Sequence, residues 1–195
     1  MIILLSNPGI LFYFGQLTPR IFTSFVAFCR VETHASALPP DDDFYRFASA
    51  KFKAGGRKLP RESFDSIFAA SQRIPGYVQE LCDAIWDCTD SGVEIGESEL
   101  NEGLQGVFAR EREHYEIFLE RLTPIQRKVV MALAAHGGKS VYSGAFIAKA
   151  QVSGIGTMRR SMAKLMAEKL IYRYNDEYKF FNPFFAQWLG RRRRG

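Results

Sequence analysis

The sequence predicts a mainly α protein, in which a bundle of amphipathic helices is followed by three more helices and a short β-hairpin. Three observations carry that expectation. Apolar residues recur at helical spacing through most of residues 41–170. Glycine and proline pairs interrupt the pattern about every helix length. After residue 170 the period changes to two aromatic runs around a turn.

Residues 41–43 are three aspartates, which supply N-cap candidates and negative charge for a helix with Phe44, Phe47, Ala48 and Phe52 on one side. Gly55-Gly56 stops it. A second helix fits residues 61–72, with Pro60 near its start and Phe64, Ile67 and Phe68 on one face. Pro75-Gly76 marks the next junction. A third helix, residues 77–88, carries Tyr77, Val78, Leu81, Cys82, Ile85 and Trp86 as a core stripe. A long amphipathic segment over residues 97–121 follows, with Leu100, Leu104, Val107, Phe108, Tyr115 and Phe118. Helices packed on helices account for this half.

Thr123-Pro124 opens the second half with a capping hydroxyl and proline at the first helical position. Ile125, Val129, Val130 and Leu133 give that helix a buried face, and Gly137-Gly138 ends it. A short helix is expected over residues 144–150, then a turn over 152–156. In the next helix, residues 157–170, Met158, Met162, Leu165 and Met166 fall on the inner side, while Thr157, Arg160, Ser161, Lys164 and Glu168 fall on the other. Residues 171–174 and 178–181 are aromatic strands flanking Asn175-Asp176-Glu177. Three helices and a hairpin in this order form a winged helix-turn-helix.

Composition bounds the rest. A chain of 195 residues with 47% hydrophobic side chains buries enough apolar surface for one ordinary domain or two small ones. Cys29, Cys82 and Cys88 are odd in number and contain no C-x-x-C pair, which argues against a disulfide framework and for a reducing, cytoplasmic setting. The opening MIILLSNPGILFYFG lacks a basic leader, is broken by Pro8-Gly9, and has apolar runs far shorter than the roughly 20 residues a spanning helix needs. A buried strand or a terminal segment is the expectation, and no membrane partner. The net charge of +5 is partly local to Arg191, Arg192, Arg193 and Arg194, a run that attracts phosphate or simply solubilises a tail.

No catalytic constellation stands out. Gly138-Lys139-Ser140 suggests a phosphate-binding loop, but the first glycine of G-x-x-x-x-G-K-S is Leu133 here and a helix, not a strand, precedes it. A loop between helices is the better reading. His34, His114 and His136 are scattered, so neither a metal site nor a nucleophilic triad is visible. Glu97, Glu99, Glu111 and Glu113 belong to charged helical stretches.

Nucleic-acid binding has more support, because a winged helix presents its third helix to the major groove while Lys and Arg side chains position it on phosphates. The candidate contacts are Thr157, Arg159, Arg160, Ser161 and Lys164, with Arg173 on the wing and Arg191, Arg192, Arg193 and Arg194 in the tail. The competing expectation is a protein-protein or interdomain module, for which the same basic residues are a solvated face. A regulator that senses a ligand through residues 41–120 is a third.

Several motifs resemble the C-terminal half of prokaryotic AAA-like ATPases of the STAND and archaeal type. Leu38-Pro39-Pro40, Asp43-Phe44-Tyr45-Arg46-Phe47 and Lys51-Phe52 look like the junction between nucleotide-binding core and helical lid. The stretch from Ser71-Gln72-Arg73-Ile74-Pro75-Gly76 through Leu81-Cys82 to Ile85-Trp86 is similar to the lid's G-x-P region and its following helix. Leu122-Thr123-Pro124-Ile125-Gln126 resembles the L-T-x-x-Q opening of the family's winged helix, and Phe184-Phe185-Ala186-Gln187-Trp188-Leu189 its close.

The resemblance covers about residues 38–190. It implies a terminal segment over residues 1–40, a lid-like domain over 41–120, a winged helix over 121–190 and a basic tail over 191–195. It also implies ATP as the cofactor of the parent family, and only Pro75 matches the family position near the adenine, since Arg73 replaces the glycine. No phosphate-binding loop and no strand ending in paired acidic residues precede the lid, so this chain is expected to hold no cofactor and not to hydrolyse ATP. It would be either the C-terminal part of a longer ATPase or a stand-alone descendant. Its expected partners are double-stranded DNA, or an ATPase core or other protein.

Overall fold

A computed structural model describes residues 41–192. Residues 1–40 and 193–195, with the expected strand or terminal segment, Cys29, His34, Arg193 and Arg194, lie outside the described residues. The first half is α1 (Asp41–Ala54), α2 (Arg61–Ala70), α3 (Pro75–Cys88) and α4 (Glu97–Arg121). The second is α5 (Pro124–His136), α6 (Gly144–Lys149), α7 (Ile155–Ala167), β1 (Ile171–Tyr174), β2 (Glu177–Phe180) and α8 (Pro183–Arg192). The fold is mainly α, a helical bundle followed by a winged helix with one antiparallel hairpin, as the sequence predicts.

Local chemistry sets the boundaries. Thr123 Oγ1 accepts from the Gln126 amide at 3.3 Å while Gln126 Oε1 accepts from the Thr123 amide at 2.8 Å, a reciprocal cap that fixes the start of α5. The second helix ends at Ala70 rather than residue 72 because Gln72 and Arg73 turn left-handed, with φ of 50° and 60°. Pro75, read as a break, is instead the first residue of α3, where a missing N–H costs nothing. Residues 42 and 43 fall inside the first turn of α1, where Asp43 pairs with Arg46 and Asp42 with Arg61.

Helix α7 begins at Ile155 and stops at Ala167, before Leu170, because Lys169 has a φ of 54°. The hairpin turn is two residues, Asn175 and Asp176, both with positive φ, so the second strand starts at Glu177 instead of Tyr178. Helix α8 is the element the sequence did not mark. Its cap was nevertheless legible: Asn182 Oδ1 accepts from the amides of Phe184 and Phe185 at 2.9 and 3.0 Å, and Pro183 follows it.

Both halves share one hydrophobic core. Phe44, Phe52, Phe64, Ile67, Leu81 and Ile85 fill the bundle, and Val129, Val130, Met158, Met162 and Leu165 fill the winged helix. Helices α3 and α4 pack along each other, closely enough that a Cβ on Gly103 would meet Ile85 at 2.5 Å. Helix α8 joins the halves by packing on α4, α5 and β2. Phe184 meets Tyr77 and Phe185 meets Tyr115 with ring centroids 5.4 and 5.2 Å apart. Phe118, expected on the core stripe of α4, is 48% exposed and meets only the edge of that core, its ring centroid 6.2 Å from that of Phe185. Among the described residues no helix is long and apolar enough to cross a membrane.

Candidate nucleic-acid interface

Helix α7 turns a buried stripe inward and a basic face outward. Met158, Ser161, Met162 and Leu165 recur three or four residues apart and are buried against α5, α6 and β1. Ser161 therefore belongs to the inner stripe, at 6% exposed, and not to the open face assigned from its hydroxyl. Met166 moves the other way and is exposed, since it follows Leu165 by 100° around the helix.

Gly156, Ala163 and Ala167 run down the middle of the exposed face, flanked by Arg159 on one side and by Arg160 and Lys164 on the other. These three cations form no ion pair among the described residues. Small side chains on the ridge let the helix backbone approach a surface closely, while the flanking cations reach past it. Thr157 is half-buried, its hydroxyl 2.9 Å from that of Ser153 in the turn before the helix. Glu168 lies just past the helix as its C-cap.

The loop between α5 and α6 holds the wing strand β2. Tyr178 on β2 donates its amide to the Gly138 carbonyl at 3.1 Å, and a Cβ at residue 138 would stand 1.8 Å from the Tyr178 carbonyl oxygen. Gly138-Lys139-Ser140 is thus a loop between helices, as expected, and its glycine admits the wing strand, which the sequence did not indicate. Four residues on, Tyr142 places its hydroxyl 3.0 Å from that of Tyr178, the rings edge to face at 6.2 Å. Burial, then the hydrogen bond to Tyr178, pushes the Tyr142 phenol up to about 12. Nothing in the spacing of residues 142 and 178 announces this pair.

Arg173 on β1 is exposed, pairs with Asp176 in the turn and lies over the Tyr178 ring. The arginines at the end of α8 are engaged elsewhere. Arg191 donates to Asn101 Oδ1 at 3.1 Å and covers Phe108, and Arg192 lies 3.7 Å from Glu116 and covers Trp188. Both face α4. Pro75 is half-buried at the start of α3, where it has a structural part to play, and Arg73 beside it stacks over Phe68.

Carboxyls outnumber cations in the bundle, and two of them hold their protons tightly. Burial, with Glu111 nearby, pushes the Glu80 carboxyl up to about 7; burial, with Asp87 nearby, does the same for Asp83. His114 meets Glu111 at 3.2 Å, and no group of three or more His, Cys, Asp or Glu among the described residues is arranged to hold a metal ion. Cys82 is buried and Cys88 half-buried, both as thiols. A cleft of about 560 Å³ opens not within the bundle but at its joint with the winged helix, between the end of α2, the end of α5, β2 and α8.

A family model described as a probable winged helix domain matches residues 113–191, which run from the second half of α4 through α8. No curated protein and no solved structure matches the chain.

Proposed function

We propose that this chain is a duplex-DNA-binding module that reads DNA with α7, while the bundle of α1 to α4 serves as its regulatory lid-like partner. The observation that carries the reading is the exposed face of α7, where Arg159, Arg160 and Lys164 flank a ridge of glycine and alanine with no acidic side chain among them. The bundle helices leave that face open. Cations supply the sequence-independent phosphate attraction, and the small ridge admits the helix to a groove. Thr157 and Arg173 border the same surface, and Arg191 to Arg194 contribute at most long-range attraction, since the first two are spent on α4.

On this reading the chain has no catalytic role, and the motifs that resemble those of AAA-like ATPases fit a lid and winged helix working beside a nucleotide-binding core. The second reading, docking on such a core or another protein, is favoured by the apolar residues Ile117, Phe118 and Ile125 exposed around the α4–α5 junction. Photocrosslinking from p-benzoylphenylalanine placed at Ala163 and at Phe118 separates the two. Adducts with a duplex at Ala163 and none at Phe118 support DNA binding by α7; no adduct with DNA at Ala163 refutes it.

A further inference from the structure

Arg159, Tyr142, Tyr178 and Arg173 form a ladder that crosses from the exposed face of α7 to the wing. The Arg159 guanidinium lies 5.8 Å from the Tyr142 ring centroid, the two hydroxyls are 3.0 Å apart, and the Arg173 guanidinium lies 6.0 Å from the Tyr178 ring. Both arginines are close enough to Tyr142 for their charges to ease the ionisation that burial opposes. Two cations, one from α7 and one from β1, are thus held near a pair of phenols from the α5–α6 loop and β2. The tyrosine pair has two O–H hydrogens and uses one between its members, which leaves one to donate outward.

We propose that Arg159 and Arg173 are the two jaws of a single phosphate clamp, with the Tyr142–Tyr178 pair as its floor, and that it seats one backbone phosphate of duplex DNA between α7 and the wing. This rests on the DNA reading above. Guanidinium groups suit phosphate oxygens through their forked donors, and aromatic faces beneath them limit the rotamers lost on binding. Asp176 is the counterweight. It occupies Arg173 in the free protein and repels an incoming phosphate, so it tempers the clamp rather than building it.

The test is duplex binding by fluorescence anisotropy with the full chain over a range of salt, using Arg159→Ala, Arg173→Ala, the double variant, Asp176→Asn, and Arg160→Ala/Lys164→Ala for comparison. Each single clamp variant should weaken binding about tenfold and lower the salt slope by about one. Because both jaws hold the same phosphate, the double variant should lower the slope by about one as well, not two. Asp176→Asn should tighten binding, and Tyr142→Phe, which keeps the ring, should weaken it by about fivefold. A duplex that binds the parent chain and loses affinity on Arg160→Ala/Lys164→Ala, but not on the clamp substitutions, overturns the clamp alone. Additive losses with a slope lower by two assign the arginines to separate phosphates and also overturn it. No duplex binding by the parent chain at low salt overturns both the clamp and the reading beneath it.

Discussion

The side-chain amide of Gln187 donates to the backbone carbonyl of Ala70 at 2.7 Å, joining α8 of the winged helix to the last residue of α2 across 117 positions of sequence. With Phe184 on Tyr77 and Phe185 on Tyr115, it makes α8 the part through which the two halves share a core. The halves should therefore unfold together. The chain has two tryptophans, Trp86 in the bundle and Trp188 on α8. Single-tryptophan variants made by Trp86→Phe and Trp188→Phe should lose their fluorescence signal at the same urea concentration, and Gln187→Ala should lower stability by about 1 kcal/mol in both. Two separated transitions would contradict the shared core.

Gly138 is fixed by its neighbour rather than by a ligand. Gly138→Ala should cost roughly 3 kcal/mol, because its Cβ meets the backbone of Tyr178 and neither chain segment can give way. Lys139→Ala, at an exposed position in the same triplet, should leave the denaturation midpoint unchanged within about 0.5 kcal/mol. The reverse pattern would return the triplet to a ligand-binding role.

Glu80 gives a stability change with pH of known sign. Its folded-state pKa is raised from 4.5 to about 7, chiefly by burial and then by the charge of Glu111. An acid whose pKa rises on folding contributes stability that is full below its unfolded pKa and is lost as pH climbs through the folded one. The thermal midpoint should fall between pH 5 and pH 8, and Glu80→Gln should flatten that part of the profile. Asp83, also raised to about 7, adds to the slope and leaves part of it in the variant. A flat or rising profile over this range would show that burial does not hold these carboxyls above their ordinary range.

Caps were the most readable features of this sequence. Thr123-Pro124 and Gly137 bound α5 as expected, and the long helix over residues 97–121 agrees at both ends, because each boundary has a local chemical cause. Asn182-Pro183 carries the same kind of signal, yet the aromatic crowd after it hid the helix. Asn182→Ala should destabilise by about 1 kcal/mol if the side chain caps α8 as its two amide bonds indicate. Circular dichroism with urea titration measures it, and an unchanged midpoint would remove the cap.

Of the candidate site, the basic face was legible and its edges were not. Arg159, Arg160 and Lys164 follow from helical periodicity alone, which also puts Ser161 between Met158 and Leu165 on the inner stripe, so its polar hydroxyl misled. The engagement of Arg191 with Asn101 and of Arg192 with Glu116 depends on how α8 lies against α4, and the Tyr142–Tyr178 bond depends on a loop meeting a strand. Pairings between residues far apart in sequence leave no periodic trace. Ser161→Ala should accordingly leave DNA affinity within twofold of the parent, a change of about 0.4 kcal/mol, whereas a larger loss would put that hydroxyl back at the interface.

Whether α7 is the DNA-binding element is tested by the anisotropy of a labelled duplex titrated at two salt concentrations. Arg160→Ala/Lys164→Ala should weaken binding by about 10- to 100-fold and make the salt dependence shallower by about two, while a chain lacking residues 191–195 stays within severalfold of the parent. Binding that survives the helix substitutions and disappears with the tail would contradict the account, reducing the interaction to attraction by a run of arginines.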